Sequence, residues 1–199
     1  MNGSEFWLIE PVTKAIKGLA SKSLAVDVGA NVGTWSVTLC EMFDSVLAFE
    51  PDERNFSQIP SIENLTTVKA AVSDQTGETP LYIRSSSGHN SILPIHPIGG
   101  EGMAPVPVIE EVQIPCLTLD DACEGGADFV KMDIEGGEIL ALQGCKDVGR
   151  WSRTVFVVEC HDTFNDVEAE LYRLGKRVTR IPHPLVAHPG HCWAIGETL

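Results

Sequence analysis

Residues 24–34, Leu24-Ala25-Val26-Asp27-Val28-Gly29-Ala30-Asn31-Val32-Gly33-Thr34, read as a buried strand, a glycine-spaced turn and the start of a helix. Leu24 to Val28 is short, apolar and bounded by turn residues, the pattern of a strand covered on both faces. Gly29 lets the chain turn sharply at the strand's carboxyl end. Gly33 lets the first helical turn approach both the strand and a ligand closely. The segment predicts a nucleotide-type pocket.

The spacing narrows the ligand. A dinucleotide fingerprint wants G-x-G-x-x-G, whereas this turn offers G-x-N-x-G. Asn31 places a side chain where a pyrophosphate would need bare backbone, and Asp27 would repel phosphate while suiting a cationic or hydroxyl-rich ligand. S-adenosylmethionine has those properties and lacks a diphosphate.

Outward from this segment the chain alternates. An opening helix is expected from Val12, Ala15, Ile16 and Leu19, within residues 1–22 that cap the sheet. Trp35, Leu39 and Met42 share a helical face, Ser45 to Phe49 make a second strand, Asp52 to Ile59 a helix and Leu65 to Ala70 a third strand. Strands at Phe129 to Asp133 and Thr154 to Glu159, with helices at Glu138 to Cys145 and Thr163 to Leu174, continue the rhythm. Arg177 to Ile181 and His191 to Ile195, joined by a proline-rich loop, close it as an antiparallel hairpin. The expected fold is α/β: a Rossmann-like, mostly parallel seven-stranded sheet ending in that hairpin, as one domain over residues 1–199.

The rhythm breaks between a strand at Leu81 to Arg84 and another at Val112 to Leu117. Residues 85–111, rich in Ser, Gly and Pro, are too long for a simple connector and read as a lid or substrate loop, with a disordered linker as the alternative.

Composition bounds the partners. With 43% hydrophobic and 21% charged residues the chain has the balance of a soluble globular protein. Fourteen basic against 28 acidic side chains give a formal charge of −14, which disfavours nucleic acid and anionic membranes as partners and suits a small neutral or cationic substrate. No apolar run reaches the length of a membrane span and no signal-peptide layout opens the chain, so the expected location is cytoplasmic. Six cysteines without a C-x-x-C pair read as reduced core residues.

Ligands of open α/β sheets sit beyond the carboxyl ends of the strands. The polar residues expected there are Asp27 to Gly33, Glu50, Val72 to Asp74, Asp133 with Glu135, and Glu159 to His161. Glu50 ends the second strand, where a carboxylate accepts both hydroxyl hydrogens of a ribose. The following Pro51 and Asp52 also fit a plain helix start, and a carboxylate can serve both purposes.

Five segments, Asp27-Val28-Gly29-Ala30-Asn31-Val32-Gly33, Phe49-Glu50-Pro51, Ala71-Val72-Ser73-Asp74, Leu119-Asp120 and Lys131-Met132-Asp133-Ile134-Glu135-Gly136-Gly137-Glu138, together resemble the FkbM-type S-adenosylmethionine-dependent methyltransferases. The resemblance spans about Ser23 to Glu159 and implies a class I methyltransferase fold, several members being O-methyltransferases of sugar or polyketide-type hydroxyls. By position it implies that Asp27, Gly29 and Asn31 face the methionine end of the cofactor, with Gly33 in the same turn. Glu50 would bind the ribose, Val72 and Ser73 would flank the adenine, and Asp133 would sit near the methyl-transfer locus.

The expected reaction is O-methylation of a small-molecule or glycan acceptor. Either Asp133 or His161 is expected as proton acceptor, or neither where positioning suffices: Asp133 has the family position and His161, expected at the pocket rim, the ordinary pKa closer to neutrality. His89, Asn90 and Ser91 in the long loop, with Glu135 and Glu159, are candidate acceptor contacts. His183, His188 and His191 around the hairpin loop have no firm metal-site spacing, and Asp133, Glu135 and Glu159 could hold magnesium; no metal enters the expected site. A nicotinamide-dependent oxidoreductase and a non-catalytic cofactor-binding module are the competing readings.

Overall fold

The computed structural model describes residues 6–94, 106–183 and 191–198. Its centre is strand β1 (Leu24–Val28), with the bounds expected from the apolar run, flanked in parallel by β2 (Ser45–Phe49) and β7 (Phe129–Met132). With β3 (Leu65–Val68), β8 (Val155–His161), β9 (Lys176–Pro182) and β10 (His191–Thr198) they form a seven-stranded sheet of order β3-β2-β1-β7-β8-β10-β9. β10 runs antiparallel to both its neighbours, so the parallel sheet ends in the expected hairpin.

Strand alternation divides the core in two. On one face Ala25, Val46, Phe129, Val155 and Val157 pack under α1 (Phe6–Lys17) and α2 (Thr34–Cys40), which contribute Val12, Ile16, Trp35 and Leu39. On the other, Val26, Val28, Val130, Met132 and Phe156 meet α5 (Glu138–Gln143) and α7 (Phe164–Arg173) through Ala141, Leu142, Val167 and Leu171. Each fully buried aliphatic side chain contributes about 1.5–3 kcal/mol, enough to hold β1 dry on both sides. All six cysteines are free thiols, and five of them are buried. Among the described residues no helix is long and apolar enough to cross a membrane.

Several expectations need correction. The helix expected over 52–59 is the short α3 (Glu53–Phe56), started by the Asp52 carboxylate, which accepts from the Arg54 N–H at 3.0 Å. A turn in which Ala70 N–H donates to the Val68 carbonyl (3.0 Å) ends β3 early. Ala71–Val72 then leave the main sheet as β4 and pair with β6 (Val108–Leu117), which also pairs antiparallel with β5 (Gly77–Arg84). Of the expected loop, this three-stranded side sheet takes in only residues 108–111. Helix α4 (Leu119–Ala122) follows it, and α6 (Val148–Trp151) adds a further turn of helix.

Nor is the amino-terminal end of the expected lid a free loop. Ser87–His89 form a 3-10 turn, Ser91 bridges to Tyr82, and the buried Arg84 guanidinium donates to the carbonyls of His89 (3.1 Å) and Leu93 (3.2 Å). Residues 95–105 of that segment lie outside the described residues.

Candidate active site

A cleft opens at the carboxyl ends of β1, β2 and β7. The main sheet supplies Gly29, Asn31, Glu50 and Asp133. The side sheet supplies Ala71, Val72 and Leu81, the 3-10 turn supplies Ser87, and Asn90 and Ser91 follow just after it.

The floor is the turn after β1. Gly29 and Ala30 N–H both donate to the Phe49 carbonyl, at 3.0 and 2.9 Å, tying the turn to β2. Gly29 adopts φ +80°, and a Cβ there would lie 1.9 Å from the Asp133 carbonyl oxygen, so only glycine fits between β1 and β7. Asn31 is also left-handed, at φ 51°, a conformation Asn tolerates better than most residues. Its N–H donates to Glu50 Oε2 at 2.9 Å, while Glu50 Oε1 accepts from the Asp52 N–H at 2.9 Å. Glu50 therefore braces both the turn and the start of α3, of which only the second was among the sequence readings. Burial raises its pKa, and the two backbone N–H donors counter that rise. A carboxylate has about four acceptor directions; the two backbone N–H groups and the Asn55 side chain take three, so one remains for a ligand.

Other expected residues stand elsewhere. Asp27 is fully buried in β1 and does not line the cleft: its Oδ2 accepts from Ser36 at 2.6 Å and its Oδ1 lies 3.4 Å from Lys131 Nζ. Gly33 packs beneath the turn against Ile59 and Pro60. Val72 lines the cleft; Ser73 is buried beside it and its hydroxyl bonds Asp74. Asn90 reaches Asp52 Oδ2 at 2.6 Å, and the Ser91 hydroxyl accepts from Leu93 N–H at 3.1 Å. His89 stands off the cleft wall against Ser86.

His161 is not on a rim. It is the last residue of β8, two beyond the expected strand end, and only 3% exposed. Its Nε2 is 3.6 Å from Glu135 Oε2 and 3.9 Å from Glu159 Oε1, and Glu159 Oε1 also meets His191 Nε2 at 2.6 Å. A polar strand end is buried here because its members contact one another.

Asp133 and Glu135, both on the cleft wall, carry opposite tendencies. Burial opposes ionisation of Asp133, but Lys131 and a hydrogen bond from Glu159 outweigh it and hold its pKa below the usual value. Burial, reinforced by the Asp133 charge, pushes Glu135 up to about 9. Glu135 also sits at φ 55°, rare for a residue with a Cβ. The sequence reading assigned no role to Lys131. It is buried, its Nζ donates to the Gly29 carbonyl at 3.1 Å and lies 3.6 Å from Asp133, and so it clamps the turn to β7. Its spacing of two from Asp133 on a strand was the available signal.

Glu138 caps this corner: its Oε1 accepts from Ile134 and Gly136 N–H at 3.0 and 3.2 Å. Burial raises its pKa from 4.5 to about 7, against those donors. The folded chain therefore binds a proton that the unfolded chain has released between pH 4.5 and 7. That contribution to stability is full below the unfolded value and lost as pH rises through about 7. Glu138→Gln is expected to remove a pH-dependent loss of up to about 3 kcal/mol between pH 5 and 8, read as the difference between wild-type and variant urea unfolding at the two pH values. Parallel curves would contradict it.

The sequence pattern of the methyltransferase FkbM domain matches residues 27–178. No curated protein sequence matches the chain. Among solved structures, the methyltransferase FkbM from Methylobacillus flagellatus KT superposes with a TM-score of 0.60 at 17% identity, over 88% of this chain and 43% of that one, so the chain spans less than half of that protein's length. An rRNA methylase from Streptococcus thermophilus matches at TM-score 0.58 and 13% identity, over 96% of each chain. A protein from Streptococcus mutans in complex with SAH (S-adenosylhomocysteine) matches at TM-score 0.54 and 11% identity, over 96% of this chain and 97% of that one. At these identities the likeness is one of fold, that of the class I methyltransferases. With its pattern matched from the turn at Asp27 through the carboxylates of Asp133 and Glu135 to β9, the chain belongs to the FkbM methyltransferase domain family.

Proposed function

We propose that the cleft binds S-adenosylmethionine and that the chain transfers its methyl group to a hydroxyl of a small molecule or sugar. The observation that carries this reading is the single cleft joining Gly29 and Asn31, Glu50, Val72 and Asp133. Gly29 and Asn31 would face the methionine end, Glu50 the ribose, and the apolar wall of Val72, Leu81 and Ile92 the adenine. Asp27 and Lys131 position the turn from beneath.

Methyl transfer is an in-line displacement: the C–O bond forms as the C–S bond breaks, leaving a neutral thioether. Alignment of oxygen, methyl carbon and sulfur supplies much of the rate. Asp133, held ionised beside Lys131, accepts the acceptor's hydroxyl hydrogen, orients the oxygen and takes the proton as the bond forms. The chain's strong negative charge keeps the acceptor neutral or cationic.

The test is label transfer from methyl-labelled S-adenosylmethionine to pools of hydroxylated small molecules and sugars. Labelled methyl ethers are expected, with kcat lowered about 100-fold or more in Asp133→Asn. Label found only on nitrogen or carbon would overturn the hydroxyl assignment.

A further inference from the structure

We propose that Glu159, His161 and His191 bind one divalent transition-metal ion behind Asp133 and Glu135 of the cleft wall, where it holds the acceptor's oxygen. The role at the acceptor rests on the methyltransferase reading; the binding site itself does not.

Strand register builds the site. Glu159 and His161 are two apart on β8 and so share a face of the sheet. His191 opens β10 directly opposite His161, which puts its imidazole on that same face. One ligand atom from each residue lies within 4.8 Å of the other two. Both Nε2 atoms approach the same carboxylate oxygen, at 2.6 Å from His191 and 3.9 Å from His161. Metal bonds of about 2.0–2.2 Å to nitrogen and oxygen need ligand atoms roughly 3–3.5 Å apart, so side-chain shifts of about 1 Å would close the set.

The surroundings favour a cation. Asp133 and Glu135 stand beside Glu159, so three carboxylates converge, with Lys131 3.6 Å from Asp133. Glu135 Oε2 lies 3.6 Å from His161 Nε2, the same nitrogen that faces Glu159, so it stands on the metal side of that imidazole, and the His183 ring packs 4.6 Å from that of His191. Two imidazoles and one carboxylate suit zinc, iron or cobalt; magnesium and calcium prefer all-oxygen sets. Three protein ligands leave coordination positions open, and Asp133 and Glu135 connect the cluster to the cleft. An acceptor hydroxyl bound there becomes more acidic, and its proton passes to Asp133 as the C–O bond forms and the C–S bond breaks. The hairpin-loop trio weighed from the sequence is a different set: it shares only His191, and His188 lies outside the described residues.

Chelator-stripped full chain would be titrated with Co²⁺, read by its visible d–d absorption, and then with Zn²⁺ in competition. One Co²⁺ per chain is expected, displaced by Zn²⁺, with affinity lowered at least about tenfold in Glu159→Gln and in His191→Ala. SAH calorimetry and circular dichroism on the same samples report the fold and the cofactor site separately. SAH binding without saturable Co²⁺ binding in the wild type, or equal Co²⁺ affinity in the folded double variant, overturns the metal site. Co²⁺ binding without SAH binding leaves the metal site standing and removes the methyltransferase reading instead.

Discussion

Gly29→Ala is expected to be the most damaging single-methyl change in the protein. The new Cβ would lie 1.9 Å from the Asp133 carbonyl oxygen and 2.9 Å from its carbon, both backbone atoms of the chain just past β7, and the position is left-handed at φ +80°. The conformation alone costs about 1–2 kcal/mol. Relieving the collision requires β1 and β7 to separate at the centre of the sheet, which breaks the Gly29 and Ala30 bonds to Phe49 and the Lys131 clamp. A loss of at least about 4 kcal/mol follows, beyond most single substitutions. Gly33→Ala is the comparison: its φ is +85°, but the Cβ would meet side-chain atoms of Ile59 and Pro60 at 3.0 Å, which can give way. A loss of about 1–2 kcal/mol is expected there. Denaturant unfolding of the three proteins checks the order, and a Gly29→Ala protein within about 1 kcal/mol of wild type would contradict the packing described.

Glu50→Ala is expected to weaken SAH binding by about 100-fold or more. Hydrogen bonds to a charged group contribute about 1.5–3 kcal/mol each, and the substitution removes the proposed bonding to the ribose. It also leaves the N–H groups of Asn31 and Asp52 without their acceptor, loosening the turn that holds the methionine end. Glu50→Gln keeps one acceptor oxygen and should fall between wild type and alanine. Calorimetry on all three, alongside their unfolding midpoints, separates ligand contact from bracing. Equal SAH affinity in a folded Glu50→Ala protein would remove Glu50 from the cofactor site.

The parts of this structure legible in the sequence are those whose burial is one-sided or complete. β1 and β2 show as short apolar runs because the sheet covers both their faces. The helix α7 shows because Val167 and Leu171 repeat on one face. The side sheet is legible only in part: Leu81 to Arg84 and Val112 to Leu117 read as strands, while the amino-terminal ends of β5 and β6 do not. Val108, Ile109, Glu110 and Glu111 are all exposed, and all but the bulged Ile109 pair with β5 through the backbone, so no alternation marks them as strand. β4 is two residues long, too short for a period.

At the site, the cleft-facing Gly29, Asn31, Glu50 and Asp133 could be read from spacing because each ends a strand or follows one directly. Asp27 and His161 misled because polarity suggests exposure, whereas both are buried among partners distant in sequence: Lys131 for one, Glu135 and His191 for the other. Such pairing depends on strand order and register, which no local pattern carries.

The central claim is that the cleft at the carboxyl ends of β1, β2 and β7 is an S-adenosylmethionine site. Calorimetric titration of the folded wild-type chain with SAH tests it most directly. Saturable binding at one SAH per chain, weakened in Glu50→Ala, is the predicted result. No heat at high-micromolar SAH, from protein whose circular dichroism and cooperative unfolding show the native fold, would contradict it.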